Sequence, residues 1–213
     1  MSAALIVIAK APVAGRVKTR LCPPCTPQQA ATLAEAALAD TLTAVAATPV
    51  ARRVCVLDGE PGPWLPDGIE VVAQRGDGLG QRLAAAFDDV GGAALLIGMD
   101  TPQVTPAQLG AAHAALRAPG ADAVLGLAPD GGYWAIGLRE PDATVFSGVP
   151  MSTARTGAAQ RARLLEAGLR VRLLPELRDV DTIADARTVA AAAPHGRFAA
   201  ALLQLPISTE EAA

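Results

Sequence analysis

The stretch AALIVIAKAPVAGRVKTR, residues 3–20, decides the fold. Its first part, residues 3–9, is a continuous apolar run that ends in a loop, a pattern typical of a central parallel strand buried on both faces. The loop carries four cations and one glycine, and no acidic residue precedes Glu35. The sequence therefore begins with a predicted buried strand that leads directly into a strongly basic loop.

The composition favours one globular domain. The chain has 213 residues, of which 51% are hydrophobic and only 3% aromatic. A chain of this length buries enough surface to fold without disulfides or structural metals, and this composition excludes a disordered chain. The net charge of −3 gives no overall basic field, so neither nucleic acid nor an anionic membrane is an expected partner. We expect a single domain over residues 1–205 and a frayed polar tail over residues 206–213.

The opening apolar run does not predict membrane insertion. It meets Lys10 after about seven apolar residues, too few for a signal sequence or a membrane span. No later segment approaches roughly 18 uninterrupted apolar residues. We therefore expect a cytoplasmic protein that does not contact the membrane.

Strand-like and helix-like segments alternate along the chain, which indicates an open, doubly wound α/β sheet with its ligands beyond the carboxyl ends of the strands. The short connection between the strands at 123–127 and 133–138 predicts a local antiparallel pair. The other predicted strands are 53–57, 69–73, 93–98 and 171–174; the predicted helices are 26–47, 80–90, 105–117, 153–167 and one from about 182 onwards.

The basic loop carries Lys10, Arg16, Lys18 and Arg20 around Gly15. The chain has no other lysines. Ammonium and guanidinium groups on a glycine-bearing loop suit a di- or triphosphate. A solvated basic surface is the alternative interpretation. The loop matches neither the Walker pattern nor the dinucleotide fingerprint.

Two acidic segments follow predicted strands at the expected ligand edge. Asp100 comes directly after the strand at 93–98 and is followed by Thr101-Pro102. Mg²⁺ uses one or two carboxylates and takes its other oxygens from phosphates and water, so Asp100 is a candidate metal ligand; it could instead cap a turn. Asp179 and Asp181 follow the strand at 171–174, and either could supply a second ligand. Asp181 could alternatively cap the last helix.

The turn Asp130-Gly131-Gly132 is a further candidate for the site. Paired glycines allow a close backbone approach to a ligand, and the acid could receive a hydroxyl proton; an ordinary hairpin turn is the alternative. The sequence has no G-x-S-x-G motif, and neither His113 nor His195 lies beside a candidate nucleophile. The sequence therefore favours catalysis by positioning and metal electrostatics over covalent catalysis.

The three cysteines do not predict a disulfide framework. Cys22 and Cys25 have C-x-x-C spacing, but about twelve loop residues separate them from the preceding strand, and no second ligand pair completes a zinc site. We interpret them, with Cys55, as ordinary free cysteines, while a redox or metal site remains the alternative.

Five motifs in this order resemble a family of nucleotide-diphospho-sugar-transferase-like proteins with the GT-A fold, of the arsenosugar-biosynthesis glycosyltransferase type. That family is related to 2-phospho-lactate guanylyltransferase and molybdenum-cofactor guanylyltransferase. The resemblance implies a three-layer Rossmann-like, mostly parallel sheet with helices on both faces. The motifs are AKAPVAGRVKTRL (9–21), GDGLGQRL (76–83), LLIGMDTP (95–102), DGGYWAIGL (130–138) and RDVDT (178–182).

The resemblance also implies the positions of the functional residues. Asp100 would bind Mg²⁺ or Mn²⁺, supported by Asp179 or Asp181, with Lys18 and Asp130 taking part in catalysis. The chain departs from the family pattern at Met99, Thr101 and Met151, where Ser, Cys and Trp are usual. The residues implied around the nucleotide are Lys10, Gly15, Arg16, Lys18, Arg20, Asp77, Gly78, Arg82, Gly131 and Gly132.

Three functions fit these motifs. Four cations in the loop favour a nucleotidyltransferase that moves NMP from an NTP to a small phosphorylated or phosphonate acceptor and releases pyrophosphate. The family name favours a glycosyltransferase with an NDP-sugar donor. A non-catalytic nucleotide-binding domain is the third possibility, against which the basic loop and Asp100 argue.

Overall fold

The computed structural model of the protein describes residues 3–206. Within them lie seven strands and six α-helices, whereas the sequence predicts seven strands and five helices. Two short 3₁₀ turns, Thr19–Leu21 and Ala143–Phe146, lie in connections between these elements. The strands are β1 (Ala4–Lys10), β2 (Arg53–Asp58), β3 (Glu70–Ala73), β4 (Ala94–Gly98), β5 (Ala123–Leu127), β6 (Tyr133–Leu138) and β7 (Val171–Leu174); the helices are α1 (Pro27–Ala47), α2 (Leu79–Val90), α3 (Pro106–Arg117), α4 (Thr156–Glu166), α5 (Ile183–Ala192) and α6 (Arg197–Gln204).

The strands form one mostly parallel sheet in the order β3-β2-β1-β4-β6-β5-β7. β1 lies in its interior and pairs in parallel with β2 and β4. β6 runs antiparallel to both β4 and β5, which confirms the predicted antiparallel pair. Because β6 is reversed, the turn that precedes it lies at the same edge as the carboxyl ends of β1 and β4.

Helices cover both faces of the sheet. In β1, Leu5 and Val7 face one core with α1 and α3, whereas Ile6 faces the opposite core with α2 and α4. This alternation is the two-residue period of a strand whose two faces are both buried. The predicted three-layer Rossmann-like architecture is confirmed.

A third, smaller core joins α1 to the C-terminal helices. Leu21 and Leu33 pack there with Val180 and Phe198, and all four are buried. This core joins the segment that follows the basic loop to the segment that follows β7. It therefore supports both sides of the candidate site.

The helix starts follow the capping signals in the sequence. Thr26, Thr105 and Thr182 each form a capping box, with Gln29, Gln108 and Asp185 respectively. Because Thr182 is the cap of α5, the suggestion that Asp181 caps this helix is wrong.

Two predicted helices need correction. The single helix expected from about residue 182 is two helices, and Pro194 lies in the break between them. Proline lacks the amide hydrogen and disfavours helical geometry in the residue before it. The Asp40 carboxylate then accepts hydrogen bonds from the amides of Arg197 and Phe198, at 3.1 and 2.8 Å, and starts α6. The helix expected over 153–167 begins at Thr156, after a turn with Ser152 at φ +59°.

Helix α1 is long and apolar enough to cross a membrane by length and composition alone. However, 67% of its apolar window is buried against the rest of the fold, as in a core helix. Of the tail expected over 206–213, only Pro206 lies within the described residues.

Candidate nucleotide and metal site

A cleft of about 870 Å³ crosses the carboxyl edge of β1 and β4 and reaches the turn before β6. A side cavity of about 220 Å³ adjoins it, and the two share five wall residues, among them Lys10, Arg20 and Asp100. Gly15 and Gly131 line neither space. The predicted site residues in the cleft are Lys10, Arg20, Asp77, Gly78, Arg82, Asp100, Asp130, Gly132, Asp179 and Asp181, and the side cavity adds Arg16 and Lys18.

Lys18 is bound to acidic residues and is not exposed in the main cleft. Its side chain is 8% exposed, and its ammonium lies 2.9 Å from Asp100 Oδ2 and 3.7 Å from Asp181 Oδ1. It also donates a hydrogen bond to the carbonyl oxygen of Val180. The sequence predicts a contact between Lys18 and phosphate, whereas in the structure the Lys18 ammonium contacts groups of the protein itself. Its backbone is left-handed at φ +48°, a conformation that costs a non-glycine residue about 1–2 kcal/mol.

The carboxylate of Asp100 has one occupied and one unpartnered oxygen. Oδ2 faces Lys18, whereas Oδ1 is buried and has no hydrogen-bond partner among the described residues. A buried oxygen without a partner is costly, so it indicates a place for a ligand. The interpretation of Asp100 as a simple turn cap is not supported, because neither of its carboxylate oxygens accepts a hydrogen bond from a backbone amide among the described residues.

Asp179 lies in a strongly acidic environment. Burial, together with the negative charges of Asp130, Asp100 and Asp181, raises the pKa of the Asp179 carboxyl to about 7. A cation in the cleft would lower the pKa of Asp179, because a positive charge stabilises the ionised carboxylate and offsets the repulsion among the acids.

These acids fit a divalent cation that shares its coordination with phosphate. No group of three or more His, Cys, Asp or Glu side chains within residues 3–206 is arranged to hold a metal by itself. Mg²⁺ and Mn²⁺ do not need one, because hard cations often take one or two carboxylates and complete their shell with phosphate and water oxygens. The unpartnered Oδ1 of Asp100 and the acidic surroundings of Asp179 suit that mode.

The other three cations of the basic loop are more accessible. Arg20 is 65% exposed and lies 3.0 Å from Asp181 Oδ2. In the part of the chain that the structure describes, neither Lys10 nor Arg16 has a carboxylate within 4.0 Å. Lys10 and Arg16 are therefore the cations that remain available to a phosphate group.

Arg82 supports the cleft from within its wall. Its guanidinium lies 2.9 Å from Asp58 Oδ2, and it also bonds Gln74 Oε1 and the carbonyl oxygen of Gly76. Gln74 in turn donates to the carbonyl oxygens of Ala9 and Val56. Gln74 and Asp58 are not among the predicted site residues, although each lies at the carboxyl end of its strand, the position that singled out Asp100.

Helix α2 begins at the cleft with Gly78 as its N-cap. Gly78 offers no side-chain cap, so the first amides of the helix lack a capping side chain. The amide of the preceding Asp77 is bonded to Gln81 Oε1 at 2.9 Å. Asp77 and Gly78 line the cleft, and their contact with a nucleotide stays a prediction.

The turn before β6 is a hairpin turn and also part of the cleft wall. Asp130 Oδ1 accepts a hydrogen bond from the amide of Gly132 at 2.8 Å. Gly131 has φ +88°, and a Cβ there would lie 2.0 Å from the carbonyl oxygen of Ala154. The close approach made by Gly131 is therefore to the segment before α4, not to a ligand.

The end of the cleft beyond Asp130 contains aromatic and hydroxyl side chains. Burial raises the pKa of the Tyr133 hydroxyl, which donates to Gln160 Oε1, and the indole of Trp134 donates to Pro175 O at 3.1 Å. Met151 and Ser152 complete this wall. The described residues that line the cleft at this end come from residues 130–135 and 151–156. None of these lining residues is basic.

The cysteines and histidines lie away from this chemistry. All three cysteines are free: Cys22 and Cys25 lie in the loop before α1, where Cys25 packs in the third core, and Cys55 belongs to β2. Burial raises the pKa of the Cys55 thiol to about 12. His113 is buried in α3, with Nε2 2.9 Å from Ala3 O, and His195 is exposed in the break between α5 and α6.

Comparisons with known proteins agree with this architecture. The family model described as "Uncharacterized protein conserved in bacteria (DUF2064)" matches residues 27–153. A protein from Desulfovibrio desulfuricans G20, provisionally described as a nucleotide-diphospho-sugar transferase, is 27% identical with a TM-score of 0.84, over 95% of this chain and 94% of that one. No curated protein matches the sequence.

More distant structures share the fold alone. CMP:2-keto-3-deoxy-manno-octonic acid synthetase complexed with CTP is 14% identical with a TM-score of 0.60, over 91% of this chain and 99% of that one. Rv0371C of Mycobacterium tuberculosis H37Rv, in complex with manganese, is 24% identical with a TM-score of 0.51, over 89% and 98%. The resemblance inferred from the five motifs is confirmed at the level of fold and family.

Proposed function

Since the chain belongs to the DUF2064 family, whose fold here carries a cation-lined cavity beside an acidic cleft, we propose that it is a metal-dependent transferase with an activated nucleotide donor. The reaction we propose is nucleotidyl transfer: NMP moves from an NTP to a small acceptor, and pyrophosphate leaves. The structural relatives named for nucleotidyl and nucleotide-sugar transfer support a nucleotide-utilising transferase.

The side cavity is the observation that carries nucleotidyl transfer. All four cations of the basic loop line it, and it opens beside Asp100 and adjoins the larger cleft. A pyrophosphate leaving group needs an anionic subsite that does not overlap the acceptor. An NDP-sugar has no third phosphate to place there.

In this proposal Lys10 and Arg16 bind the outer phosphates of the donor through charge-assisted hydrogen bonds. Asp100, with Asp179 or Asp181, would hold the metal. When bound, the metal neutralises charge on the phosphates during the in-line displacement. The acceptor lies toward Asp130, whose second carboxylate oxygen receives the proton of the attacking hydroxyl. Gln74 and Arg82 keep the wall at the nucleotide end rigid.

The acceptor end does not support the phosphorylated or phosphonate acceptor expected from the sequence. A phosphate group there would meet Asp130 and Asp179, and the lining residues at that end offer it no basic partner. We therefore propose a hydroxyl-bearing acceptor without an anionic group.

Glycosyl transfer is the second candidate function. It is supported by the 27% identical relative and by the pairing of two loop cations, Lys18 and Arg20, with acids. This pairing reduces the positive charge that the loop offers to a third phosphate.

One experiment separates the two functions. The purified protein is incubated with Mg²⁺ or Mn²⁺, each of four NTPs or common NDP-sugars, and a panel of free sugars, polyols and their phosphates. Nucleotidyl transfer requires acceptor-dependent pyrophosphate release that Asp100→Asn abolishes. NDP release without pyrophosphate would replace this proposal by glycosyl transfer. Nucleotide binding without turnover across the panel would favour a non-catalytic domain.

A further inference from the structure

Lys18 connects three parts of the chain that meet at the metal-binding acids. It belongs to the loop after β1, and its ammonium contacts Asp100 after β4 and Asp181 after β7. It is almost fully buried, whereas the side chains of Asp100 and Asp181 remain 34% and 31% exposed. The lysine therefore approaches the acids from the protein side, and both acidic side chains stay partly exposed, although Asp100 Oδ1 itself is buried.

Two nearby cations already pair with the charges of Asp100 and Asp181. Asp100 and Asp181 bring two negative charges, and Lys18 and Arg20, each within 3.0 Å of one of these carboxylates, bring two positive charges. A divalent cation that reaches the same carboxylates meets the ammonium a few ångströms away. The repulsion is strong, because Lys18 is shielded from water and cannot easily turn away.

We propose that Lys18 is an internal counter-ion that competes with the divalent metal for Asp100 and Asp181. The free protein consequently binds metal weakly, and metal binds best together with nucleotide, whose phosphates restore the charge balance. This inference rests on the proposed metal site. It gives Lys18 a different function from Lys10 and Arg16, which have no carboxylate partner among the described residues.

The first test measures Mn²⁺ binding to the nucleotide-free protein by electron paramagnetic resonance. Lys18→Met should tighten Mn²⁺ binding by about tenfold or more, because it removes a buried positive charge beside the ligands. Lys18→Arg keeps the charge and should bind Mn²⁺ about as weakly as the wild type. Arg187→Met, at an exposed arginine on α5 outside the cleft, is the control and should also stay near the wild-type value.

A structural function alone would give a different result. If Lys18 only held the loop in place, Lys18→Met would weaken Mn²⁺ binding or leave it unchanged, and that outcome in a folded variant would overturn the proposal. Failure of every variant and of the wild type to bind Mn²⁺, with or without nucleotide, would instead reject the metal-dependent function.

A second test needs no variant and applies even if Lys18→Met does not fold. The chain has only two lysines, so acetylation by an N-hydroxysuccinimide ester can be followed at each by peptide mass spectrometry. Lys18 should react much more slowly than the exposed Lys10 in the free protein, and Mn²⁺ should accelerate acetylation at Lys18 but not at Lys10. The inference would be overturned if the two lysines reacted equally fast. It would also be overturned if Lys18 reacted slowly and bound Mn²⁺ did not change its rate of acetylation.

Discussion

The amide of Val180 donates a hydrogen bond to the carbonyl oxygen of Asp100 at 3.0 Å. This bond ties the segment after β7 to the end of β4, although β6 and β5 lie between these two strands in the sheet. Because Val180 lies between Asp179 and Asp181, the bond holds both acids beside Asp100. The acidic cluster is thus a product of backbone pairing, and its side chains can be changed without removing the contact that assembles it.

We expect Asp100→Asn to remove metal-dependent turnover. Asn keeps the shape but loses the charge that binds a hard cation, so the rate should fall by about 100-fold or more, roughly 3 kcal/mol of transition-state stabilisation. Turnover is measured over a range of Mg²⁺ concentrations. Asp67→Asn, at an exposed acid outside the cleft, is the control. Wild-type turnover of Asp100→Asn at limiting Mg²⁺ would show that the metal is bound elsewhere.

Arg16→Ala should weaken binding of a nucleoside triphosphate by about 1.5–3 kcal/mol, the usual contribution of a hydrogen bond to a charged group. Binding of the nucleoside should not change, since it has no phosphate to contact Arg16. Calorimetry with both ligands measures the difference. The control is Arg187→Ala, at an exposed arginine on α5. Equal losses for nucleoside and triphosphate would indicate a collapsed loop rather than a lost phosphate contact.

Gly131→Ala should destabilise the protein, because the added Cβ would overlap the carbonyl of Ala154 at 2.0 Å and the backbone is left-handed. Strain and overpacking together cost about 2–4 kcal/mol, or roughly 5–10 °C in Tm for a chain of this size. Gly148 also has positive φ but an open surrounding, so Gly148→Ala should cost only about 1 kcal/mol. Similar Tm values for the two variants, measured by differential scanning calorimetry, would contradict the close approach at Gly131.

Asp179→Asn should stabilise the metal-free protein at pH 8 but not at pH 4. The folded pKa of about 7 lies above the usual value near 4, so the folded state favours the protonated acid. The penalty of an ionised Asp179 is absent below pH 4, grows as the pH rises and is complete above pH 7. Asn removes the penalty, on the order of 2–4 kcal/mol at pH 8. Urea denaturation in EDTA at pH 4 and pH 8 measures the change in the free energy of unfolding. The same change at both pH values would refute the charge repulsion.

The two loop cysteines should differ in their effect on stability but not on activity. Cys22→Ser should leave Tm unchanged, whereas Cys25→Ser places a hydroxyl in the third core and should cost about 1–2 kcal/mol. Neither should change turnover. Metal analysis of the purified wild type and the double variant checks the interpretation, and stoichiometric zinc that the substitutions remove would show that a zinc site exists.

The fold was largely predictable because its signals are local. Buried strands appear as apolar runs, and the capping boxes at Thr26 and Thr105 indicate where two helices begin. Pro194 was a local signal for the break between α5 and α6, because proline disfavours a continuous helix. The late start of α4 was less readable, since Ser152 adopts positive φ without being glycine.

The site was predictable in its position but not in its pairings. Asp100 and Asp179 were predicted from the rule that ligands lie beyond the carboxyl ends of strands. This rule requires only the position at which each strand ends. It could not show that Lys18 pairs with Asp100, because the contact depends on how the loop folds back across the sheet. The same holds for Arg82, whose partners Asp58 and Gln74 lie at the carboxyl ends of two different strands.

The bond from Lys18 to Val180 joins residues 162 positions apart in the chain. Contacts of such long sequence separation carry a large loop-closure entropy and form late in folding. On a ribosome, the basic loop and Asp100 emerge before the segment at Val180 and Asp181, which is among the last parts of the domain to be synthesised. The nascent protein therefore keeps Arg20 without its Asp181 partner until synthesis is nearly complete, and a chain that stops short of Val180 keeps the sheet's central strands while lacking the closing contact of the site.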